Sequence, residues 1–438
     1  MPLAPQNVTL KPAGDQVHTA FLRACGEGQQ ASRLAYLLRN GADIEHRDDK
    51  NCTSLHHAAF GGSADTVQYL LDAGADLHAV ASWCGSALCL AALRRHHRVV
   101  EVLLKHGAKV NRVYPKIGSA AHAACAGGDM AIIRTLIDAG ADFKAKAETC
   151  IDAYDDLLAS DIETMLELPL HCRIRHPELR FQYGSAGVSA AERGFCEVVR
   201  FLLHLPGALS VNEEFLSGAP RDATDRHSPV LYVRKATLIM MAASRHGPVL
   251  LNILLSRGAN PTALDNCQST AIDYLCRIPI FGTAQYVDPV RCMVTLFDHG
   301  VDVNASDRDG STALMLASLH GTGLDVVNLL LDHGADVNAK NKFGNTALTL
   351  TVERGRKYRE SGGISLLTFV DLLCKYGANT NHANSAGRNA LAIAQETPAW
   401  SGQLEELKNI FEKYETEFRQ DVDTQHKVRS QQKGQCQT

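Results

Sequence analysis

The chain has 438 residues, of which 45% are apolar and 21% charged, values close to those of ordinary globular proteins. This composition excludes a chain that is disordered throughout, and the formal charge of -4 gives no broad field for binding nucleic acid or an anionic membrane. No run approaches the roughly 18 apolar residues of a membrane span, and residues 1–11 lack the pattern of a signal peptide. We therefore expect a cytoplasmic or nuclear protein whose 13 cysteines are reduced and mostly buried.

A regular repeat begins near residue 15. Apolar residues such as Leu34, Leu37 and Leu38 have the spacing of one helical face, and a glycine follows them directly. Because glycine accepts a left-handed conformation at little cost, each such glycine predicts the end of a helix. The glycine, followed by alanine, returns every 33 residues at Gly41, Gly74, Gly107 and Gly140.

A second helix is predicted in each period, starting after a hydroxyl residue that lies 12 positions beyond the glycine. Thr53, Ser86 and Ser119 hold this position and can cap the helix. Small residues on the new helix allow close approach of its neighbours. The same register returns later in the chain, with these residues: Thr237, Gly258, Thr270, Gly300, Thr312, Gly334, Thr346 and Gly377.

The sequences TSLHHAA at 53–59 and GADVN at 334–338 resemble the ankyrin repeat family, over residues 15–415. The family has proline after the threonine, where this chain has serine or alanine. The resemblance implies an all-α solenoid of about eleven stacked helix-turn-helix units with hairpin-like loops. It also implies that His56 and His122, which occupy equivalent positions, bridge neighbouring loops by hydrogen bonds.

Two segments depart from the period. Residues 148–182 have the length and apolar register of one more, degenerate unit, whereas 208–236 has prolines and no period and is predicted to be a long surface loop. Apolar spacing from Leu404 to Phe418 predicts a terminal helix. We expect a disordered N-terminus at 1–14 and a polar C-terminal tail at 416–438.

No phosphate-binding loop, nucleophile elbow or zinc-finger spacing occurs in the sequence, and we predict no catalytic residue, no metal and no cofactor. The nearest approach to a metal site is Cys84, Cys89, His96 and His97. Cys89 falls within a predicted helix and the two histidines fall in a turn, which favours structural roles.

The sequence therefore favours a non-catalytic adaptor or scaffold that binds another protein, of unknown identity, through the concave hairpin edge and inner helices. Residues predicted to bind that partner lie at loop tips: Trp83, Arg112, Tyr114, Lys116 and Phe343. In the alternative interpretation, the aromatic rings stack on the next hairpin. The alternative function is an enzyme or regulatory subunit that works through the irregular insertions, which are short, far apart and poor in histidine and cysteine clusters: 174–183, 208–236, 277–289 and 353–365.

Arg94, Arg95, His96, His97 and Arg98 form a basic cluster at the turn between two paired helices. The cluster has two interpretations, a surface facing an acidic partner or an ordinary solvated face.

The family resemblance implies asparaginyl hydroxylation at Asn304 and Asn338, which each follow an acidic and an apolar residue and lie eight residues after a leucine. Asn111 occupies the same register but has Lys109 in place of the acid. In the alternative interpretation, these asparagines only bond the backbone of a turn.

Overall fold

The structure is a computed structural model that describes residues 14–81, 84–150, 181–219, 232–245, 247–277, 288–357, 366–397, 400 and 402–416. The chain divides into two compact units, Met1–Leu238 and Ile239–Thr438, called here the N-terminal and C-terminal units. The described residues are mostly helical, and the helices come in pairs that we call repeats. The first helix of a pair is its inner helix and the second its outer helix. None of the described helices is long and apolar enough to cross a membrane.

Five repeats are described in the N-terminal unit, each with two helices of seven to 13 residues. Their bounds are α1 Gly14–Gly26, α2 Ala31–Arg39, α3 Ser54–Gly61, α4 Ala64–Asp72, α5 Ala87–Leu93, α6 His97–Lys105, α7 Ala120–Gly127, α8 Met130–Asp138, α9 Ala186–Glu192 and α10 Cys196–His204.

Five further repeats are described from the end of the N-terminal unit through the C-terminal unit. Their bounds are α11 Leu238–Ser244, α12 Pro248–Ser256, α13 Ala271–Arg277, α14 Pro289–Asp298, α15 Ala313–His320, α16 Leu324–Asp332, α17 Ala347–Lys357, α18 Leu366–Lys375, α19 Ala390–Gln395 and α20 at 404–416.

Inner helices pack against inner helices of the next repeat, from α1 through α3, α5 and α7 to α9, and from α13 through α15 and α17 to α19. The inner helices are rich in buried alanine, so their backbones come close. A Cβ atom added at Gly61 would lie 1.8 Å from the carbonyl oxygen of Gly26 in α1. This packing confirms the close approach that the small residues predict, and it is the core of a helical repeat solenoid.

The predicted helix ends are confirmed. Gly41, Gly74 and Gly107 have φ of 95°, 93° and 86°, in the left-handed region that favours glycine. At the other end of the period, the Ser86 hydroxyl accepts a hydrogen bond from the N–H of Cys89 and caps α5. Each such cap stabilises its helix by about 1 kcal/mol.

Besides its helical repeats, the N-terminal unit contains a four-stranded antiparallel sheet in the order β1-β2-β3-β4. Its strands are β1 Ala147–Cys150, β2 Phe181–Gly184, β3 Glu214–Ala219 and β4 Tyr232–Thr237. The register pairs Glu148 with Tyr183, Tyr183 with Leu216, and Leu216 with Lys235. Because side chains alternate along a strand, these four residues form an exposed row across one face, while Phe215 and Ala236 are buried on the other.

The sheet corrects one expectation from the sequence. Residues 208–236 are predicted to be a loop, but strands β3 and β4 occupy the described ends of this segment. Phe215 and Ala236 lie opposite each other in the register and are both buried, so these ends contribute to the core. Alternation over so few residues gives a weak signal of a strand, which is why the sequence misses it.

The degenerate unit at 148–182 stays a prediction, because most of it lies outside the described residues. What the structure does show is that α7 and α9, which flank it in the chain, pack directly against each other.

Candidate interaction surface

We call each connection between one repeat and the next a finger. Most fingers place the residue before the next inner helix 12 positions after the glycine that follows the outer helix, and the two that enter the sheet are longer. Most fingers close by the same device. In the finger at 335–346, Asn341 lies seven residues after Gly334, and its Oδ1 accepts hydrogen bonds from the N–H groups of Phe343 and Asn345, both at 3.0 Å. Equivalent closures are made by Asp48, Asp265, Asp307 and Asn384.

The closed fingers of the C-terminal unit are joined at their tips by backbone hydrogen bonds. Arg308 donates its N–H to the carbonyl of Cys267, and Lys342 donates to that of Asp309, at 2.7 and 2.9 Å. Phe343 then accepts from the N–H of Ser385 at 3.0 Å. Backbone hydrogen bonds thus join four successive fingers into one continuous edge, which we call the finger edge.

Histidines link successive repeats in the N-terminal unit, as the family resemblance implies. The Nε2 atom of His56 lies 3.2 Å from the carbonyl oxygen of Gly85 in the next finger. A carbonyl can only accept, so Nε2 carries the proton, and Nδ1 accepts from the N–H and hydroxyl of Thr53. His122 repeats this arrangement with Ser119 and Gly184.

Burial keeps both histidines neutral. It lowers the pKa of His56 to about 4, and it also lowers the pKa of His122. A protonated ring would bring a hydrogen to Nδ1, where the backbone N–H of Thr53 or Ser119 already donates. These rings are therefore structural links, and they have no spare nitrogen for acid–base chemistry or a metal.

The C-terminal unit carries an acid at the equivalent position. Asp273 accepts hydrogen bonds from the N–H and hydroxyl of Thr270, at 2.7 and 3.0 Å, but its Oδ1 has no partner among the described residues. Burial raises the pKa of Asp273 to about 6, although the bonds from Thr270 oppose the rise. One turn later, Arg277 pairs with Asp307 of the next finger at 3.0 Å, both side chains being mostly buried.

Asparagines provide a second link between repeats. Nδ2 of Asn304 donates to the carbonyl oxygen of Gly334 at 3.0 Å, and Oδ1 accepts from the N–H of Asp336 at 2.8 Å. Asn338 makes the equivalent pair of bonds with Gly377 and Asn379. The side chains thus bond the backbone of the next repeat, and hydroxylation at these sites stays a prediction.

Phe343 lies where the sequence predicts it, at an exposed tip, with 61% of its surface accessible. Its N–H donates to Asn341 and its carbonyl accepts from Ser385, so the backbone is fixed while the ring is presented to solvent. Lys340 and Lys342 are exposed beside it. These two lysines are not among the residues predicted from the sequence, although their alternation with Asn341 and Phe343 is visible there.

Tyr114 is only 5% exposed, so its predicted place on an exposed edge is wrong. The ring packs on Gly85 of the preceding finger, where an added Cβ would come within 3.1 Å of it. The guanidinium of Arg112 also lies over this ring, 5.3 Å from its centroid. Arg112 and Lys116 are exposed, as expected, and Trp83 lies outside the described residues.

The four residues nearest to a metal site have other partners. Sγ of Cys84 lies 3.6 Å from Sγ of Cys52, and Cys89 receives the hydroxyl of Ser86. His96 bonds the carbonyl of Phe60, and His97 bonds the hydroxyl of Thr135. Over the part of the chain that the structure describes, no group of three or more histidine, cysteine, aspartate or glutamate side chains could hold a metal ion.

Family models place these repeats among known proteins. A model described as Ankyrin repeats (3 copies) matches residues 5–81 and 239–341, and one described as Ankyrin repeats (many copies) matches residues 88–137. Together the matches cover just over half of the chain. No curated protein sequence matches it. Proteins built from such repeats are generally modules for protein–protein interaction and are typically non-catalytic. With its repeats, left-handed glycines and interlocked fingers, the chain belongs to the ankyrin repeat family.

Proposed function

We propose that the chain is a non-catalytic adaptor or scaffold in the cytoplasm or nucleus, and that it binds another protein through the finger edge of its C-terminal unit. The observation that carries this proposal is the exposed ring of Phe343 on a rigid backbone. An aromatic ring that is already positioned loses little conformational freedom when a partner covers it, so most of the apolar burial contributes to affinity.

The surroundings of the ring support the same proposal. Asn341 and Ser385 fix the tip from two sides, and the neighbouring fingers are tied to it through Lys342 and Asp309. A flexible loop would have to be ordered by its partner, whereas this edge already has one conformation. The exposed Lys340 and Lys342 give the apolar centre a polar rim, the arrangement of a typical protein interface.

The test is a comparison of three forms of the full chain: wild type, Phe343→Ala and Tyr36→Ala. Tyr36 is a matched control because it is also an exposed aromatic residue, 54% accessible, but lies on outer helix α2. Affinity purification with quantitative mass spectrometry identifies proteins held by wild type, and calorimetry with the purified partner then measures affinity.

We expect Phe343→Ala to weaken binding about 30-fold, which corresponds to about 2 kcal/mol, and Tyr36→Ala to leave it unchanged. Equal affinity of all three forms would contradict the finger edge as the interface. A wild-type chain that retains no protein above a control resin would contradict the adaptor function itself.

A further inference from the structure

The turn between α5 and α6 differs from its neighbours in the stack. Where the turn after α3 has Gly61-Gly62 and the turn after α7 has Gly127-Gly128, this turn has Arg94-Arg95. Arg95 adopts φ of 65°, close to the 85° of Gly62 and the 79° of Gly128. A side chain makes this left-handed conformation costly, so arginine is a poorer choice than glycine for the backbone.

The side chain of Arg95 is held in one place. Its Nε donates to the carbonyl oxygen of Gly127 at 2.5 Å, and its guanidinium lies 5.6 Å from the centre of the Phe195 ring. The two terminal nitrogens have no hydrogen-bond or ion-pair partner among the described residues. Arg95 is exposed, so this pair of donors faces solvent in a fixed orientation.

Two further arginines lie beside it. The guanidinium of Arg94 stacks on the Phe60 ring, 4.2 Å from its centroid, and Arg98 is exposed in the first turn of α6. Arg94, Arg95 and Arg98 together make a surface that we call the basic turn.

We propose that the basic turn is a second interaction surface, which binds an acidic segment of a partner protein through its carboxylates. Arginine matches a carboxylate with two parallel N–H···O bonds, and the fixed fork of Arg95 presents that geometry before the partner arrives. This surface lies on the N-terminal unit and involves no finger residue. Its existence therefore does not depend on the function proposed for Phe343.

The surrounding charges favour a short acidic segment over a nucleic acid. Glu101 lies 3.8 Å from His97 on the same helix, and the carboxylate of Asp129 caps α8 in the next turn. With a formal charge of -4 for the whole chain, the positive potential is confined to a few side chains. A long polyanion needs a continuous basic track, whereas a few carboxylates can be matched one by one.

The experiment measures binding of a fluorescent deca-glutamate peptide to the full chain by anisotropy at about 50 mM salt. The probes for comparison are deca-glutamine and ten-residue oligothymidylate. The variants are Arg95→Gly, Arg98→Ala and, as charge-matched control, Arg291→Ala, an exposed arginine on α14. Because glycine occupies the equivalent position in both neighbouring turns, Arg95→Gly should keep or raise the unfolding temperature, which is measured alongside.

We expect the wild type to bind deca-glutamate and not deca-glutamine, with at least a fivefold loss in Arg95→Gly and Arg98→Ala. Arg291→Ala and Phe343→Ala should bind as the wild type does. No binding by the wild type, or equal binding by Arg95→Gly, would overturn the proposal. Tighter binding of oligothymidylate than of deca-glutamate would replace the acidic protein segment by a nucleic acid.

Discussion

The four joined fingers of the C-terminal unit each form a tight turn, whereas two fingers of the N-terminal unit continue as strands of the sheet. We call the first kind closed and the second kind opened. The closed fingers have aspartate or asparagine seven residues after the outer-helix glycine, as at Asp307 and Asn341. The opened fingers have Ala147 and Glu214 at the same position, and strands β1 and β3 begin there. The comparison teaches that a side chain which accepts two backbone N–H groups favours a closed turn over a strand. It is not the sole means of closure, because the fingers with Ala81 and Tyr114 at this position close by backbone hydrogen bonds to Gly85 and Gly118.

A second position in the finger agrees with this reading. Three residues beyond the aspartate or asparagine, the closed fingers have a left-handed residue, with φ of 77° at Gly310 and 70° at Gly344. The opened fingers have Cys150 and Ser217 there, both within strands. Insertions can enter an opened finger without disturbing the helices, since its two strands only have to pair with each other and with the next finger.

The largest effect on this comparison is expected from Asp307→Ala. This substitution removes the closure of a finger and also leaves Arg277 mostly buried without its carboxylate, which should cost about 4 kcal/mol locally. Asn341→Ala is the matched control, because it removes a closure without an ion pair, and it should cost about 1 kcal/mol. Hydrogen exchange of α15 and α17 measures both effects. Equal losses in the two variants would show that the ion pair contributes nothing.

The two units should also respond to acid in opposite directions. The pKa of His56 is lowered to about 4 in the fold, so the unfolded chain binds a proton first as pH falls below about 6.5. The N-terminal unit therefore loses stability between about pH 6.5 and 4, by about 3 kcal/mol from this residue. Asp273, with its pKa raised to about 6, holds its proton longer than the unfolded chain does. Its unfavourable contribution at neutral pH therefore disappears as pH falls from about 6 to 4.

Hydrogen exchange of α3 and α13, corrected for the intrinsic effect of pH, measures this difference between pH 7 and 5. Protection of α3 should fall relative to that of α13. His56→Gln and Asp273→Asn, which remove the two titrations, should each reduce the trend in their own unit, and His122, whose pKa burial also lowers, should leave part of it in the N-terminal unit. The same pH dependence in both variants as in the wild type would contradict these assignments.

The helices could be predicted from the sequence more completely than the contacts of the fingers. Helix faces and left-handed glycines follow from spacing alone, because the signals at Leu34, Leu37 and Gly41 are local and repeat in every period. The burial of Tyr114 agrees with the alternative of stacking on a neighbouring hairpin, and the sequence could not decide for it because the burial depends on the Gly85 backbone of another finger. The pair Arg277–Asp307 was missed for the same reason, because its partners lie 30 residues apart and in different repeats.

Two aromatic residues of the fingers, one buried and one exposed, should differ in how much they contribute to stability. Tyr114→Ala should destabilise the N-terminal unit by about 2 kcal/mol, because the ring fills the space above Gly85. Phe343→Ala should change stability by less than about 0.5 kcal/mol, because its ring is exposed. Denaturant unfolding followed by far-UV circular dichroism compares them. A larger loss in Phe343→Ala than in Tyr114→Ala would reverse the assignment of the two rings.

The smallest expected effect concerns the asparagines that join repeats. Asn111, Asn304 and Asn338 make the same two bonds to the next repeat, but Asn111 alone has Lys109 where the other two have Asp302 and Asp336. A hydroxylase that reads the acidic residue should therefore add one oxygen to Asn304 and Asn338 and spare Asn111. The hydroxylase would also have to compete with the two hydrogen bonds that hold each asparagine side chain.

Peptide mass spectra of the chain from its native cells, provided that they contain an active asparaginyl hydroxylase, separate the possibilities. Oxygen on Asn304 and Asn338 alone would support recognition of the acidic motif. Modification of all three would show that the finger geometry, which they share, is what the enzyme reads. Three unmodified residues would contradict the hydroxylation prediction and leave the asparagines as links between repeats, each expected to contribute about 1 kcal/mol to the stack.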